Sequence, residues 1–285
     1  MPIHFKHAMC NEAFDGRALA EQCRVMKAAG YEGIEIAPFT LAGDPLDIAA
    51  SQRREYSDMI RSEGLEFVGL HWLLVGPRQV HVTTPDADFR EASWLHVRNL
   101  IDLCADLAGN KPGENGVMIF GSPKQRSAIG GLTPAQATQN FTEGMASIAK
   151  HAESRGVTIL VEALPKSQSD VICTLAEAAA VVDAIASPAI QTMFDTHNSE
   201  DETDPADVVI ERYFGMIKHI HVNEMDGQLP GAGDYDFKTV FRVLDKLKYT
   251  GWVSLEAFNF ELGADNIARE SIGYLNRQIA EVFAQ

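Results

Sequence analysis

The chain is short of positive charge. Its 24 lysines and arginines stand against 40 aspartates and glutamates, a formal net charge of −16. Such an exterior repels polyanions, which speaks against a nucleic-acid surface or an anionic-membrane surface. Cysteine is also scarce. Cys10, Cys23, Cys104 and Cys173 show no C-x-x-C spacing, so they read as reduced thiols and not as a disulfide framework. No apolar run approaches the roughly 20 residues that span a bilayer. The opening MPIHFKHAMCNEAF is too short and polar for a secretory leader, so a soluble, cytoplasmic protein is expected. There is no phosphate-cradling P-loop, no G-x-S-x-G elbow, and no G-x-G-x-x-G after the first strand-like run. No linker, low-complexity tract or charge run marks a boundary, and residues 1–285 read as one domain.

What is present is a core-forming chain, 46% hydrophobic, in which short β-like runs alternate with longer helical stretches. Strands are expected over Ile3–Ala8, Gly33–Ile36, Leu65–His71, Gly116–Phe120, Val157–Glu162, Ile190–Asp195, Met216–Val222 and Trp252–Glu256. Helices are expected over Asp15–Ala29, Ala49–Ser62, Asp88–Leu107, Pro134–Ser154, Leu175–Ala186, Asp204–Arg212, Phe237–Leu247 and Ala264–Phe283. Thr133 before Pro134 and Thr174 before Leu175 are helix-start signals. Eight βα units in 285 residues predict an α/β protein built as a single (β/α)8 barrel. A pair of doubly wound domains is the weaker alternative, because the dinucleotide-binding turn is missing.

Four residues carry the functional signal. Glu162, Asp195, His221 and Glu256 end the fifth to eighth strands, at separations of 33, 26 and 35 residues. In a barrel the carboxyl ends of neighbouring strands converge on one mouth, where active sites sit. Four consecutive strands therefore deliver one metal-capable side chain each to one place. Three carboxylates and an imidazole form a hard, oxygen-rich set. It suits one divalent ion, Mn²⁺ foremost with Mg²⁺ or Co²⁺ as alternatives, better than a closed structural zinc site.

The segments around these residues resemble a known family. YEGIEI (Tyr31–Ile36), GLHWLL (Gly69–Leu74), GSPKQR (Gly121–Arg126), LVE (Leu160–Glu162), FDTH (Phe194–His197), HIHVNE (His219–Glu224) with PGAGDYDF (Pro230–Phe237), and SLE (Ser254–Glu256) occur in order along the chain. Together they resemble the sugar isomerase/epimerase superfamily of xylose isomerase-like barrels, in particular its ketose 3-epimerase and hydroxypyruvate isomerase branches. The resemblance implies that Glu162, Asp195, His221 and Glu256 bind one divalent ion and that Glu162 and Glu256 are the catalytic acid and base. It implies a carbohydrate substrate whose C–H bond next to a carbonyl is deprotonated to an enediolate. Return of the proton gives an epimer or an aldose–ketose isomer.

Three positions depart from the epimerase pattern. His197 lies two residues after Asp195 where the family has a histidine three after it. Gln168 stands where the family has a substrate-binding glutamate, and Gly227 where it has an arginine. Kept ligands beside changed substrate contacts point to the same metal chemistry on a different substrate. A lyase or dehydratase acting on a keto-sugar, inosose or oxidised (3-keto) glycoside, with or without a small second subunit, is the alternative. A non-catalytic sugar-binding protein is a weaker one, because the ligand set is intact. An apurinic-site endonuclease is weaker still: its trinuclear zinc pattern is broken at Gly121-Ser122 and Asp234-Tyr235-Asp236, and the charge opposes DNA. Substrate contacts are expected from His71, Trp72, Glu35, Lys124, Arg126, Lys166, Gln168 and His197. His219, sharing the facing of His221 one layer deeper, is expected to pack in the core. A homo-oligomer is expected from the families resembled.

Overall fold

The computed structural model of the chain describes residues 5–76, 79–110 and 115–284. Among these, eight parallel strands close into a barrel in sequence order: β1 (Lys6–Cys10), β2 (Gly33–Ile36), β3 (Glu66–Leu70), β4 (Val117–Phe120), β5 (Thr158–Val161), β6 (Ile190–Asp195), β7 (Ile217–Val222) and β8 (Trp252–Leu255). β8 pairs with β1, with Lys6 opposite Trp252 and Met9 opposite Leu255. The helices are α1 (Leu19–Ala29), α2 (Ala50–Ser62), α3 (Ala87–Ala108), the single turn α4 (Pro123–Arg126), α5 (Pro134–Arg155), α6 (Leu175–Ile185), α7 (Ala206–Tyr213), α8 (Phe237–Lys246) and α9 (Ala264–Phe283). The fold is the expected (β/α)8 barrel. No helix among the described residues is long and apolar enough to cross a membrane.

Local chemistry sets the element ends. Thr133 and Gln136 form a reciprocal capping box at the start of α5, with Pro134 in its first turn, and Gly156 closes the helix at φ +67°. Thr174 caps α6 by accepting from the Glu177 N–H. Three expectations shift. The first strand runs on to Cys10, because Met9 and Cys10 pair with Ile34 and Glu35; the expected start at Ile3 and His4 lies outside the described residues. The first helix begins at Leu19 and not Asp15, because a 3-10 turn (Glu12–Phe14) and Gly16 at φ +83° intervene. Pro123–Arg126, left between elements by the strand and helix bounds expected from the sequence, forms the single turn α4.

Alternation along the strands builds the barrel interior in layers. Ile119, Leu160 and Met193 form an apolar cluster apart from the main core. They lie two residues before Gly121, Glu162 and Asp195, and so one layer beneath them. On the other side of the barrel the same depth is polar: His219, two residues before His221, is fully buried together with Glu35. The floor of the mouth is thus half apolar and half charged.

Candidate active site

The strand ends assemble the four residues. Glu162 follows β5 directly, Asp195 ends β6, His221 is next to last in β7, and Glu256 follows β8 directly. Asp195 stands opposite His221 in the sheet, and His221 opposite Ser254. One ligand atom from each of Glu162, Asp195, His221 and Glu256 can be chosen so that all lie within 4.8 Å of one another, and all four residues are buried. At Gly121 a Cβ would sit 2.2 Å from Glu162 Oε2, so only glycine leaves that carboxylate its place.

Burial and mutual repulsion perturb the group. Burial, and then the negative charges of Glu256 and Asp195, push the Glu162 carboxyl well above its ordinary range. Burial also raises Asp195, to about 6, against the pull of His221. Glu256 goes the other way: burial opposes ionisation, but His221, 3.0 Å from Oε2 through Nδ1, and His71 hold its carboxyl below the usual value. His221 is raised despite its burial by Glu35 and Glu256. Three carboxylates this close repel one another, and a divalent cation among them relieves that repulsion. Oxygen and imidazole donors converge here, and no lysine or arginine among the described residues forms an ion pair with any of the four, a set that fits such an ion.

A surrounding shell fixes the donors. Asn198 Nδ2 donates to both Glu162 Oε1 and Asp195 Oδ2, each at 3.0 Å. The His197 N–H donates to Asp195 Oδ1 at 2.8 Å. Trp72 Nε1 donates to Glu256 Oε1 at 2.8 Å, from a left-handed backbone at φ +48°. Its ring is stacked between Phe39 and Phe258, at centroid distances of 6.1 and 6.0 Å. His197 meets Phe258 edge-on at 5.0 Å.

The model of the xylose isomerase-like TIM barrel family matches residues 23–278. The chain belongs to that family. Among curated relatives of this xylose isomerase-like barrel, the L-ribulose 3-epimerase of Mesorhizobium japonicum is 26% identical over 176 residues, 62% of this chain and 57% of that protein. The D-psicose 3-epimerase of Agrobacterium fabrum is 28% identical over 226 residues, 76% of each chain. Among solved structures, the 3-keto-D-glucoside 4-epimerase of E. coli superposes with a TM-score of 0.81 at 18% identity, covering 96% of this chain and 100% of that one. At that identity the superposition speaks for the fold.

Within this family member the expected substrate contacts divide. Gln168 and His197 stay together at the surface, Gln168 Nε2 lying 2.9 Å from His197 Nε2. Lys124 and Lys166 are exposed. Arg126 is a correction: it is fully buried, and its guanidinium donates to the carbonyls of Phe120, Glu162 and Ile172, so it ties strand ends together instead of meeting substrate. Glu35 is a second correction, since both its oxygens are taken by His219 and His221 beneath the mouth. Trp72 is half-buried and stacks on Phe39 and Phe258. His71 is fully buried, with Nε2 on Glu12 Oε2 at 2.7 Å. His219 packs in the core as expected.

Sequence reasoning passed over Asn198, Glu12, Phe39, Phe258 and Glu224. For Asn198 a signal existed, because it occupies the third position after Asp195, where the resemblance places a histidine. Glu224 lies two residues past β7, is buried, and accepts from the N–H groups of Gly231 and Tyr235, which pins the PGAGDYDF segment beside the mouth. The others act across separations of 59 residues for Glu12–His71 and 184 for Trp72–Glu256, where no local pattern carries information.

Proposed function

We propose that the protein is a divalent-metal-dependent sugar epimerase or isomerase that moves a proton on a carbon next to a carbonyl. The observation that carries this reading is the convergence of Glu162, Asp195, His221 and Glu256 within 4.8 Å at four successive strand ends, in a chain whose curated relatives include ketose 3-epimerases. These four residues would hold one ion, Mn²⁺ first among Mn²⁺, Mg²⁺ and Co²⁺. When bound, such an ion supplies Lewis acidity to a carbonyl and its neighbouring hydroxyl, which acidifies the C–H between them.

The chain's own residues supply the rest. Glu162 and Glu256 are on strand ends three units apart around the barrel and so approach a sugar from different sides. One removes the proton to give the enediolate; the other delivers a proton to the opposite face. Asn198 fixes Glu162 through Oε1, which leaves Oε2 of Glu162 for the ion or the substrate; Trp72 fixes Glu256 through Oε1, and its Oε2 faces His221 Nδ1, where an ion would be held between the two. Gly121 preserves the space around Glu162 Oε2. Gln168 and His197, paired at the surface of the mouth, would receive sugar hydroxyls.

The test is to strip the protein with a chelator, reload it with Mn²⁺, Mg²⁺ or Co²⁺, and identify the products from free ketoses and keto-glycosides. An epimer or isomer formed only by the reloaded protein is the expected result. Release of water or an aglycone would assign a lyase instead. Full turnover after chelation would defeat the metal reading.

A further inference from the structure

A charged cluster lies beneath the site. His219 and His221 are two residues apart on β7 and point into the barrel in successive layers. Glu35 reaches both from β2: Oε1 is 2.6 Å from His219 Nε2, and Oε2 is 3.1 Å from His221 Nε2. All three residues are 0% exposed. Burying a carboxylate in a barrel interior is costly unless it is paired, and the opposite half of the same layer shows that Ile119, Leu160 and Met193 fill the space without charge. The charge therefore calls for a role.

Hydrogen-bond logic supplies one. An ionised carboxylate only accepts, so the imidazole nitrogens facing Glu35 carry protons. For His221 that nitrogen is Nε2. Its other nitrogen, Nδ1, faces Glu256 Oε2 at 3.0 Å, on the side of the four converging donors; without an ion it donates to that carboxylate, and an ion bound among the donors would take the place of this proton while the one on Nε2 stays. A neutral ring with its proton on Nε2 offers a lone pair at Nδ1; the other tautomer offers none there. We infer that Glu35 is a positioning residue that locks the orientation and tautomer of His221, so that Nδ1 is the atom presented to a divalent ion. His219 holds the second oxygen of Glu35 and keeps the carboxylate in register. This inference rests on the metal reading proposed above and adds to it a residue that touches neither ion nor substrate.

The test is the Mn²⁺ affinity of the wild-type protein and of Glu35→Gln and Glu35→Ala, measured by electron paramagnetic resonance of free Mn²⁺ beside a thermal melt. Removing the partner of a ligating histidine costs about 10–100-fold in affinity. Glu35→Ala is expected to lose that much, and Glu35→Gln less, because an amide oxygen still accepts from one histidine. A merely structural role would lower the melting temperature and leave the Kd of folded protein unchanged, which would overturn the inference. Where Glu35→Ala does not fold, nitrogen-15 spectra of Mg²⁺-loaded wild type decide: a proton on Nε2 of His221 supports the inference, and a proton on Nδ1 overturns it. Wild-type protein that binds no Mn²⁺ would bring down the metal reading itself and this inference with it, a failure distinct from an unchanged Kd in Glu35→Ala.

Discussion

Asp195 shows what one residue contributes in opposite directions. Its carboxyl is raised from 3.8 to about 6 by burial in the metal-free protein. A carboxylate with a raised folded-state pKa holds its proton longer when folded than when unfolded. Stability from this group is therefore full below about pH 4, declines as pH rises toward 6, and is absent at pH 8. Asp195→Asn removes that penalty. The metal-free variant is expected to be more stable than the parent at pH 8, by on the order of 1–2 kcal/mol, with little difference at pH 4.5, and to have lost Mn²⁺ binding. Thermal melts at the two pH values check this; a variant less stable than the parent at pH 8 contradicts it. Trp72 works through one hydrogen bond. Trp72→Phe keeps a ring to stack between Phe39 and Phe258 but loses the donor to Glu256 Oε1. Its kcat is expected to fall about tenfold, equivalent to about 1.4 kcal/mol, with KM within a few-fold. An unchanged kcat would show that the bond does not position Glu256.

At the scale of elements, the ends of β4 and β5 are joined by a side chain from α4, the short helix between β4 and α5. Arg126 on α4 donates to the carbonyls of Phe120, at the end of β4, and of Glu162, just past β5, and to that of Ile172 in the following loop. Burial lowers its pKa to about 10, so it stays charged. Arg126→Met keeps much of the volume and removes the donors. A destabilisation of about 2–4 kcal/mol is expected from the buried carbonyls left unpaired, read from denaturant unfolding; an unchanged midpoint would show that these bonds are dispensable. Arg126 also marks where the sequence misleads. Lys124 and Arg126, two residues apart, both read in the sequence as substrate contacts, and only the folded chain turns one of the pair inward. The four strand-end residues were legible for the opposite reason. Each belongs to its own βα unit, so strand assignment alone carries it to the mouth. Glu35 was legible as inward-facing, but whether it meets substrate or a histidine depends on β7, 184 residues away.

For the whole molecule, the barrel converts sequence order into a ring. Residues scattered from Trp72 to Glu256 share one mouth because eight parallel strands close on themselves. The net charge of −16 is spread over the chain, but part of it is concentrated at this mouth and beneath it, in Glu12, Glu35, Glu162, Asp195 and Glu256, all buried. A protein that gathers five buried carboxylates around one opening balances them with histidines and, on the present account, with a cation. The proposed chemistry is the passage of a substrate proton between two faces of a sugar by Glu162 and Glu256 beside that cation. Its most direct test is solvent-deuterium incorporation into a ketose substrate in D₂O, followed by mass spectrometry and proton NMR. One deuterium at the carbon next to the carbonyl is expected with the Mn²⁺-loaded protein, and none with the chelated protein or with Glu162→Gln. Epimer or isomer formed without any solvent deuterium, or deuterium entry that persists undiminished in both Glu162→Gln and Glu256→Gln, would contradict it.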